Sequence, residues 1–391
     1  MSEFTLKSSD RETLYQLYLY AFNAKDSAQR QSFWQDRFNH SIPYGIKDDQ
    51  DQIINGLMSI PFNINFFGAP MKMNGISDVM SAPEASGKGG ASNLMKASLQ
   101  DMYKNQVDVS YLAPFSFEYY RRFGYEQVFN HTTYTIESDK LPRIKASDSE
   151  ITVVRSSLAK QINHIKELFN QSELSQQAGL VRDEWWWEYL TKKYPNREIA
   201  VAFKANIAVG YLLYERSVDA FTIYEVVSKN ASARQSLWQF VTKHGTSYPT
   251  FRYESANPTN QVDLLANPYP VQVESHPYMM ARIVNFKQFM EKYPVTKDIE
   301  EITFSITDDV IKENQGTWTL SVSGKQVHLN KISDETLANS LTIQQLAKSL
   351  FNFRSLTSQI KFGAINEANQ KIAEQLDQIV VTDQPILADY F

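Results

Sequence analysis

Apolar residues recur along this chain in two rhythms, every second position in some stretches and every third or fourth in others, which predicts strands and helices in turn. In MNGISDVMSAP, residues 73–83, Ile76 and Val79 precede a proline, and the stretch reads as a strand feeding a turn. Ala91, Leu94, Met95, Leu99 and Met102 then share one helical stripe and predict a helix over residues 89–104. VDVSYLAPF, residues 107–115, alternates Val107, Val109 and Tyr111 and predicts the next strand. A second α/β unit follows from about residue 151 to 290. ITVVRS opens it, EIAVAF and AVGYLLYE pair as strands, and FTIYEVVS leads into the helix SARQSLWQFVTK, an order that copies the first unit. From about residue 298 the pattern changes. Ile302, Phe304 and Ile306, then Trp318, Leu320 and Val322, alternate as a hairpin would, and Ile343, Leu346, Ala347 and Leu350 mark a helix. The chain thus reads as α/β (α+β) and multidomain, with domains over 1–150, 151–297 and 298–391.

Composition narrows the function. At 391 residues the chain is too long for one ordinary core, and 42% hydrophobic with 21% charged residues is the balance of a soluble globular protein. A net charge of −5 argues against broad nucleic-acid binding and mildly favours cationic partners. No apolar run approaches ~18 residues and the first residues lack a signal-peptide core. A cytoplasmic protein without a membrane partner is the expectation. With no cysteine, thiolate metal sites and acyl-cysteine intermediates drop out, and the six histidines lack ligand spacing, so no metal is expected.

Gly87, Gly89 and Gly90 stand where a strand hands over to a helix N-terminus, in a chain with only 14 glycines. The first four N–H groups of a helix lack partners and the helix dipole is positive there, so glycines at this place admit a phosphate closely. A flexible surface loop is the other reading of the same residues. The sequence of strand, S-G-K-G-G-A, amphipathic helix and strand resembles the acetyl-CoA site of the GNAT acetyltransferases, whose loop reads R/Q-x-x-G-x-G/A. Gly89 and Ala91 meet that pattern; Ser86 replaces the usual Arg or Gln, and Lys88 keeps a positive charge in the loop. FEYYRRFGYEQVFNHTTYTI, residues 117–136, is similar to the I-Y-G-R-F-G-Y segment of the enhanced intracellular survival (Eis) acetyltransferases.

That resemblance covers nearly the whole chain, and it implies two GNAT-fold mixed-sheet domains followed by a sterol-carrier-like α+β domain. It implies acetyl-CoA as cosubstrate and a small-molecule amine as acceptor, aminoglycoside, polyamine or lysine-like. A protein-lysine acetyltransferase, or a binding protein with a decayed cofactor site, are the alternatives. It further implies a homo-oligomer, a hexamer. By the same resemblance Tyr120 is the general acid and the terminal carboxylate of Phe391 the general base. Val79, Met80, Ser81, Gly87, Lys88, Gly89, Gly90, Ala91, Ser92, Phe115 and Ser116 bind the cofactor, and Phe33 and Trp34 are candidates for the acceptor pocket or equally for the core. Tyr119, Phe123 and Tyr125 read as core aromatics. In the second unit the cradle position reads KNASARQS, without glycine, so one cofactor site per chain is expected. DEWWWEYL, residues 183–190, resembles a Trp-rich helix start in the family and reads as Trp packing between the domains rather than substrate contact.

Overall fold

The computed structural model describes residues 3–145 and 148–391. The chain forms two compact units, Met1–Val128 with Tyr278–Pro385 and Tyr390–Phe391, and Phe129–Pro277 with Ile386–Asp389.

The first unit opens with helices α1 (Arg11–Ala21) and α2 (Ala28–Asn39), the latter capped by Ser27, whose hydroxyl accepts from the Arg30 N–H. Strands β1 (Ile42–Lys47), β2 (Ile53–Phe66) and β3 (Ala69–Ser81) pair antiparallel in sequence. Helix α3 (Gly90–Lys104) crosses over to β4 (Val109–Leu112), which pairs parallel with β3. β4 stops short of residue 115 because Pro114 has no N–H to give a ladder. Helix α4 (Phe117–Arg121) and β5 (Glu126–Gln127) follow. Leu94, Met95, Leu99 and Met102 of α3 pack with Leu57, Ile76, Leu112, Tyr120 and Tyr125 into one core.

The second unit runs from β6 (Asn130–Glu137) through β7 (Ile151–Ser157), α5 (Leu158–Asn170), α6 (Glu173–Gln176), β8 (Gln177–Val181) and α7 (Glu184–Lys193). It continues with β9 (Glu198–Lys204), β10 (Ile207–Arg216), β11 (Ala220–Ser228), α8 (Ala231–Thr242), β12 (Thr250–Ser255) and β13 (Gln272–Pro277). Its sheet has the order β13-β6-β12-β11-β10-β9-β7, with β11 and β12 parallel, as β3 and β4 are. Trp186 and Trp187 of α7 are buried, the Trp186 ring against Tyr189 and the Trp187 ring against Phe169, within this unit and not, as expected, between the domains.

The chain then returns to the first unit. β14 (Met280–Ile283) pairs between β4 and β5, giving the order β1-β2-β3-β4-β14-β5. Helix α9 (Phe286–Lys292) leads to a second sheet of β15 (Ile299–Thr307), β16 (Gly316–Ser323), β17 (Gln326–Ser333) and β18 (Leu341–Thr342), followed by α10 (Ile343–Leu350). The sequence division at 150 therefore falls after a strand that belongs to the second sheet, and that at 297 after a strand that belongs to the first. Arg282 on β14 fastens this part to the first sheet's end: it donates to both oxygens of Asp308 at 2.8 and 2.6 Å and to the Phe123 carbonyl. Burial opposes ionisation of Asp308, yet Arg282 together with hydrogen bonds from Asn314 and the Ile311 N–H outweighs it and holds the carboxyl below its usual range.

A buried charge cluster organises the second unit. Arg182 donates to Asp389 through Nε at 2.9 and 3.1 Å and to Glu225, while the Trp186 indole N–H reaches Asp389 at 2.7 Å and the Tyr211 hydroxyl reaches Glu225 at 2.8 Å. Burial opposes the Arg182 charge, but the two carboxylates more than offset it. Every charge in the cluster has a partner, which is the condition under which buried charges are tolerated.

His131, on β6, donates from Nε2 to the Leu387 carbonyl at 2.8 Å. Burial lowers its pKa from 6.5 to about 4, the Leu387 bond working against the shift and His276 adding to it. A folded pKa below the unfolded one means that the fold favours the neutral ring, so this contribution is full above pH 6.5 and is lost as the pH falls through about 4. His131→Gln keeps a donor to Leu387 and removes the titration. Its melting temperature, followed from pH 7 to pH 4, is expected to fall less steeply than that of the wild type; parallel curves would show that His131 does not drive the loss.

Candidate functional site

β3 carries an irregularity that opens the first sheet. Gly56 pairs with Met80 and Met58 with Ser77, so Leu57 alone faces both Asp78 and Val79. This is a β-bulge, and Asp78 takes a φ of +52° to make it. A non-glycine residue pays for that conformation, and three donors to its carboxylate hold it: Arg37 at 2.6 Å, the Trp34 indole at 3.1 Å and the Ser77 hydroxyl at 3.1 Å. The parallel ladder to β4 ends at Ile76–Leu112. Past that point Val79, Met80 and Ser81 stay with β2, while the chain beyond β4 turns through Phe115 and Ser116 into α4, Ser116 accepting from the Tyr119 N–H at 3.2 Å. Two parallel strands that part in this way leave a wedge with backbone polar groups along its sides.

The glycine loop ends at the start of α3. Gly87 and Gly89 have φ of +74° and +85°, a region that costs side-chain-bearing residues about 1–2 kcal/mol, and a Cβ on either would meet nothing within 4 Å. Gly89 is the N-cap and supplies no side-chain bond, and the first helical bond recorded at this end is from the Asn93 N–H to the Gly89 carbonyl. The N–H groups of Gly90, Ala91 and Ser92 therefore lack helical acceptors; the space beside Gly87 and Gly89 is open, while at Gly90 the Asn55 side chain stands where a Cβ would lie. Lys88 is exposed beside them. The corresponding end of α8 differs: the Asn230 side chain caps it, accepting from the Ala233 N–H at 2.9 Å. Residues with side chains and a filled cap replace the glycine cradle there.

Tyr120 is 2% exposed, with ring centroids of Tyr119 at 5.0 Å, Phe115 at 5.2 Å and Tyr125 at 6.3 Å. Burial raises its pKa strongly, and Tyr119, Tyr125 and Tyr390 add to the shift, so the phenol stays protonated. Phe123 and Tyr125 are core aromatics, the Tyr125 hydroxyl sharing a 2.7 Å bond with Ser110; Tyr119 is half-buried and packs tilted between Phe115 and Phe123.

Phe391 is 3% exposed. Its ring lies 5.4 Å from that of Phe62 and directly on Gly75, where a Cβ would stand 2.6 Å from two ring carbons. Only glycine at position 75 admits the chain end. Gly75 pairs with Tyr111, and its neighbour Ile76 pairs with Leu112 and packs in the core that holds Tyr120. Side chains alternate between faces, so Phe391 and Tyr120 approach the end of the β3–β4 ladder from opposite faces of the sheet. Tyr390 lies between the groups electrostatically. Its pKa is raised by burial, with Arg37 opposing and Asp78 adding, and it in turn raises that of Tyr120.

Trp34 is buried among Tyr15, Tyr18 and Phe38, with its indole spent on Asp78, and Phe33 is 9% exposed beside Arg30. The geometry makes Trp34 a support of the bulge. Asp78, Arg37 and Tyr390 are the site residues that sequence reasoning missed. One signal was present: Ile76 and Val79 are three apart where a regular strand spaces its apolar residues by two, which is how a bulge reads in sequence.

Residues 5–128 and again 178–283 match the acetyltransferase (GNAT) domain, and residues 286–388 match the sterol carrier protein domain. A solved protein from Enterococcus faecalis, described as a conserved protein of unknown function and probable N-acyltransferase, is 31% identical over 99% of both chains with a TM-score of 0.92. The chain belongs to the GNAT acyltransferase family. Two more distant structures share this acyltransferase's fold across 99% of both chains: a GCN5-related N-acetyltransferase from Anabaena variabilis, at 22% identity and a TM-score of 0.85, and Eis1 from Mycobacterium abscessus, at 15% and 0.80. Tandem GNAT domains with a sterol-carrier-like C-terminal domain are thus the architecture of this acyltransferase, as the Eis resemblance implied. No curated protein matches the chain.

Proposed function

We propose that this acyltransferase moves an acetyl group from acetyl-CoA to a primary amine by direct attack in a ternary complex. The observation that carries the reading is the end of the β3–β4 ladder, approached by Tyr120 and Phe391 from opposite faces, in the same unit as the glycine loop that starts α3 beside open space at Gly87 and Gly89. The N–H groups of residues 90–92 and the Lys88 charge suit a pyrophosphate. Backbone N–H groups at Val79–Ser81 suit the thioester carbonyl, with Phe115 and Ser116 on the other strand's exit.

In this scheme the amine nitrogen bonds to the carbonyl carbon and the carbon–sulfur bond breaks, leaving the thiolate. With no cysteine in the chain there is no acyl-cysteine route. The Phe391 carboxylate attracts the ammonium form and accepts its proton before attack, and the second proton that the nitrogen sheds as the amide forms leaves on the departing thiolate. A free α-carboxyl has a pKa of about 3.3–3.7, so it depends on its surroundings to act as a base. The Tyr120 hydroxyl hydrogen-bonds the departing sulfur. Because burial raises its pKa above that of a free tyrosine, complete proton transfer to a thiolate is steeply uphill, and the hydrogen bond carries most of the effect. Acceptors are small-molecule amines, aminoglycoside, polyamine or lysine-like, and the negative net charge favours cations of this kind.

The test combines thiol release from acetyl-CoA across a panel of such amines with Gly89→Glu. The substitution puts a negative side chain into the open space before α3. Acetyl-CoA affinity is expected to fall about tenfold or more, ~1.4 kcal/mol, while Gly89→Ala, which carries the same backbone cost without the charge, loses less. Equal affinity in wild type and Gly89→Glu by calorimetry would remove the loop from the site, and absence of thiol release with every amine would remove the reading.

A further inference from the structure

Helix α8 packs Leu237 and Val241 onto the sheet of the second unit but leaves a gap beside β6 and β12. A cavity of about 300 Å³ lies between them, walled by Tyr134 and Ile136 of β6, Phe251 and Tyr253 of β12 and Trp238 of α8, and completed by the connections around residues 141–144 and 261–271. At the corresponding place in the first unit a helix fills the space. There β4 leads into α4, whose Tyr120, with the adjoining Phe123, joins the core packed against α3. The equivalent strand β12 leads instead into irregular chain, with one turn of 3-10 helix at Val262–Leu264 before β13.

The space is half open to solvent, an apolar pocket of the size that takes a small ligand. Ordered water needs two to four polar partners, and the polar groups of these walls are already engaged. The Tyr134 hydroxyl donates to the Thr259 carbonyl at 3.0 Å and accepts from the Gln261 N–H at 3.1 Å; the Thr242 hydroxyl donates to the Gln239 carbonyl at 3.1 Å. What remains is apolar and aromatic, with two cations at its edge, the exposed Arg252 and the half-buried Arg234. Arg234 lines the cavity and also the adjoining cleft that holds Lys229 and Glu173. It donates to the Gln261 side chain at 3.1 Å and forms no ion pair among the described residues.

We propose that this cavity binds a single medium-length alkyl chain with an anionic head, a fatty carboxylate, the chain lying among the aromatic walls and the head on Arg234. Its volume is that of about ten water-sized groups, which suits a chain of eight to ten carbons. The site lies in the second GNAT unit and is separate from the acyl-transfer site proposed above, so it stands whether or not that proposal does.

Decanoate titrated into the full chain by calorimetry, with excess coenzyme A present to occupy the first unit's site, is the test. Saturable one-to-one binding is expected, with decylamine, which brings a cation to Arg234, weaker by about tenfold or more. Arg234→Gln is expected to weaken decanoate by a similar factor, and Val241→Phe, which fills the cavity from α8, to abolish its binding. Circular dichroism establishes that each variant is folded, and Arg234→Gln, a change at a half-buried position, decides the matter alone if the larger side chain prevents folding. No saturable binding by the wild type, equal affinity for decylamine, or undiminished affinity in a folded variant would overturn the proposal.

Discussion

A chain extended by one glycine after Phe391 is expected to lose acetyl transfer by about 10² or more in kcat while keeping its acetyl-CoA affinity and its melting temperature. The extension moves the carboxylate by about 3.3 Å along an extended backbone, beyond hydrogen-bond reach of its former position, and leaves the Phe391 ring on Gly75 and Phe62. Deleting Phe391 is the less clean experiment. The ring is buried, so its removal costs stability of about 3 kcal/mol or more in addition to displacing the charge. The two variants together separate anchoring from chemistry. A role in proton transfer predicts that both are inactive and only the deletion melts early; a purely structural tail predicts that the extended chain keeps wild-type turnover, which would end the case for the terminal carboxylate as base.

Tyr120→Phe is expected to lower kcat by about 10², with acetyl-CoA binding intact. The substitution keeps a ring among Phe115, Tyr119 and Tyr125 and deletes only the hydroxyl, so a packing role predicts near-normal turnover in a folded protein. The pH dependence adds an independent mark. With its pKa raised by burial and by three neighbouring phenols, Tyr120 remains protonated through pH 10, and loss of the acid form of Tyr120 contributes no alkaline limb below that pH. Turnover of Tyr120→Phe close to that of the wild type, measured where chemistry limits the rate, would return the residue to the core.

The predicted helix over residues 89–104 became Gly90–Lys104, because five apolar residues on one stripe leave a helix little choice of face. The hairpin over 302–322 and the helix at 343–350 are equally local, the latter reinforced by Thr342 and Gln345, which satisfy each other's backbone N–H groups in a capping box. The glycine loop was legible as a place and ambiguous as a function. What favours the cradle over a bare surface loop is the conformation of Gly87 and Gly89, the open space they face and the absence of a side-chain cap, none of which a glycine announces in sequence. Trp34 shows the opposite case. Its residue type suggested a pocket or a core with equal force, and a single hydrogen bond to Asp78, 44 positions away, gives it its place.

By itself the sequence determined the rhythm of strands and helices, the repetition of one α/β unit, the glycine-bearing helix start and, through the spacing around Tyr120, the family. These are properties of neighbours along the chain, and short-range sterics and periodicity are enough to write them. The tertiary structure decided which strands share a sheet, so that Asn130–Glu137 and Met280–Ile283 each pair away from their sequence neighbours, and it decided where the chain ends, on a glycine some 300 positions earlier. Contacts of that separation depend on burial and pairing energies summed over the whole fold, which no local pattern encodes. The bulge at Asp78, stabilised by Arg37 and Trp34 from another helix, belongs to the same class. It is the residue that opens the sheet, and only the folded chain brings its partners to it.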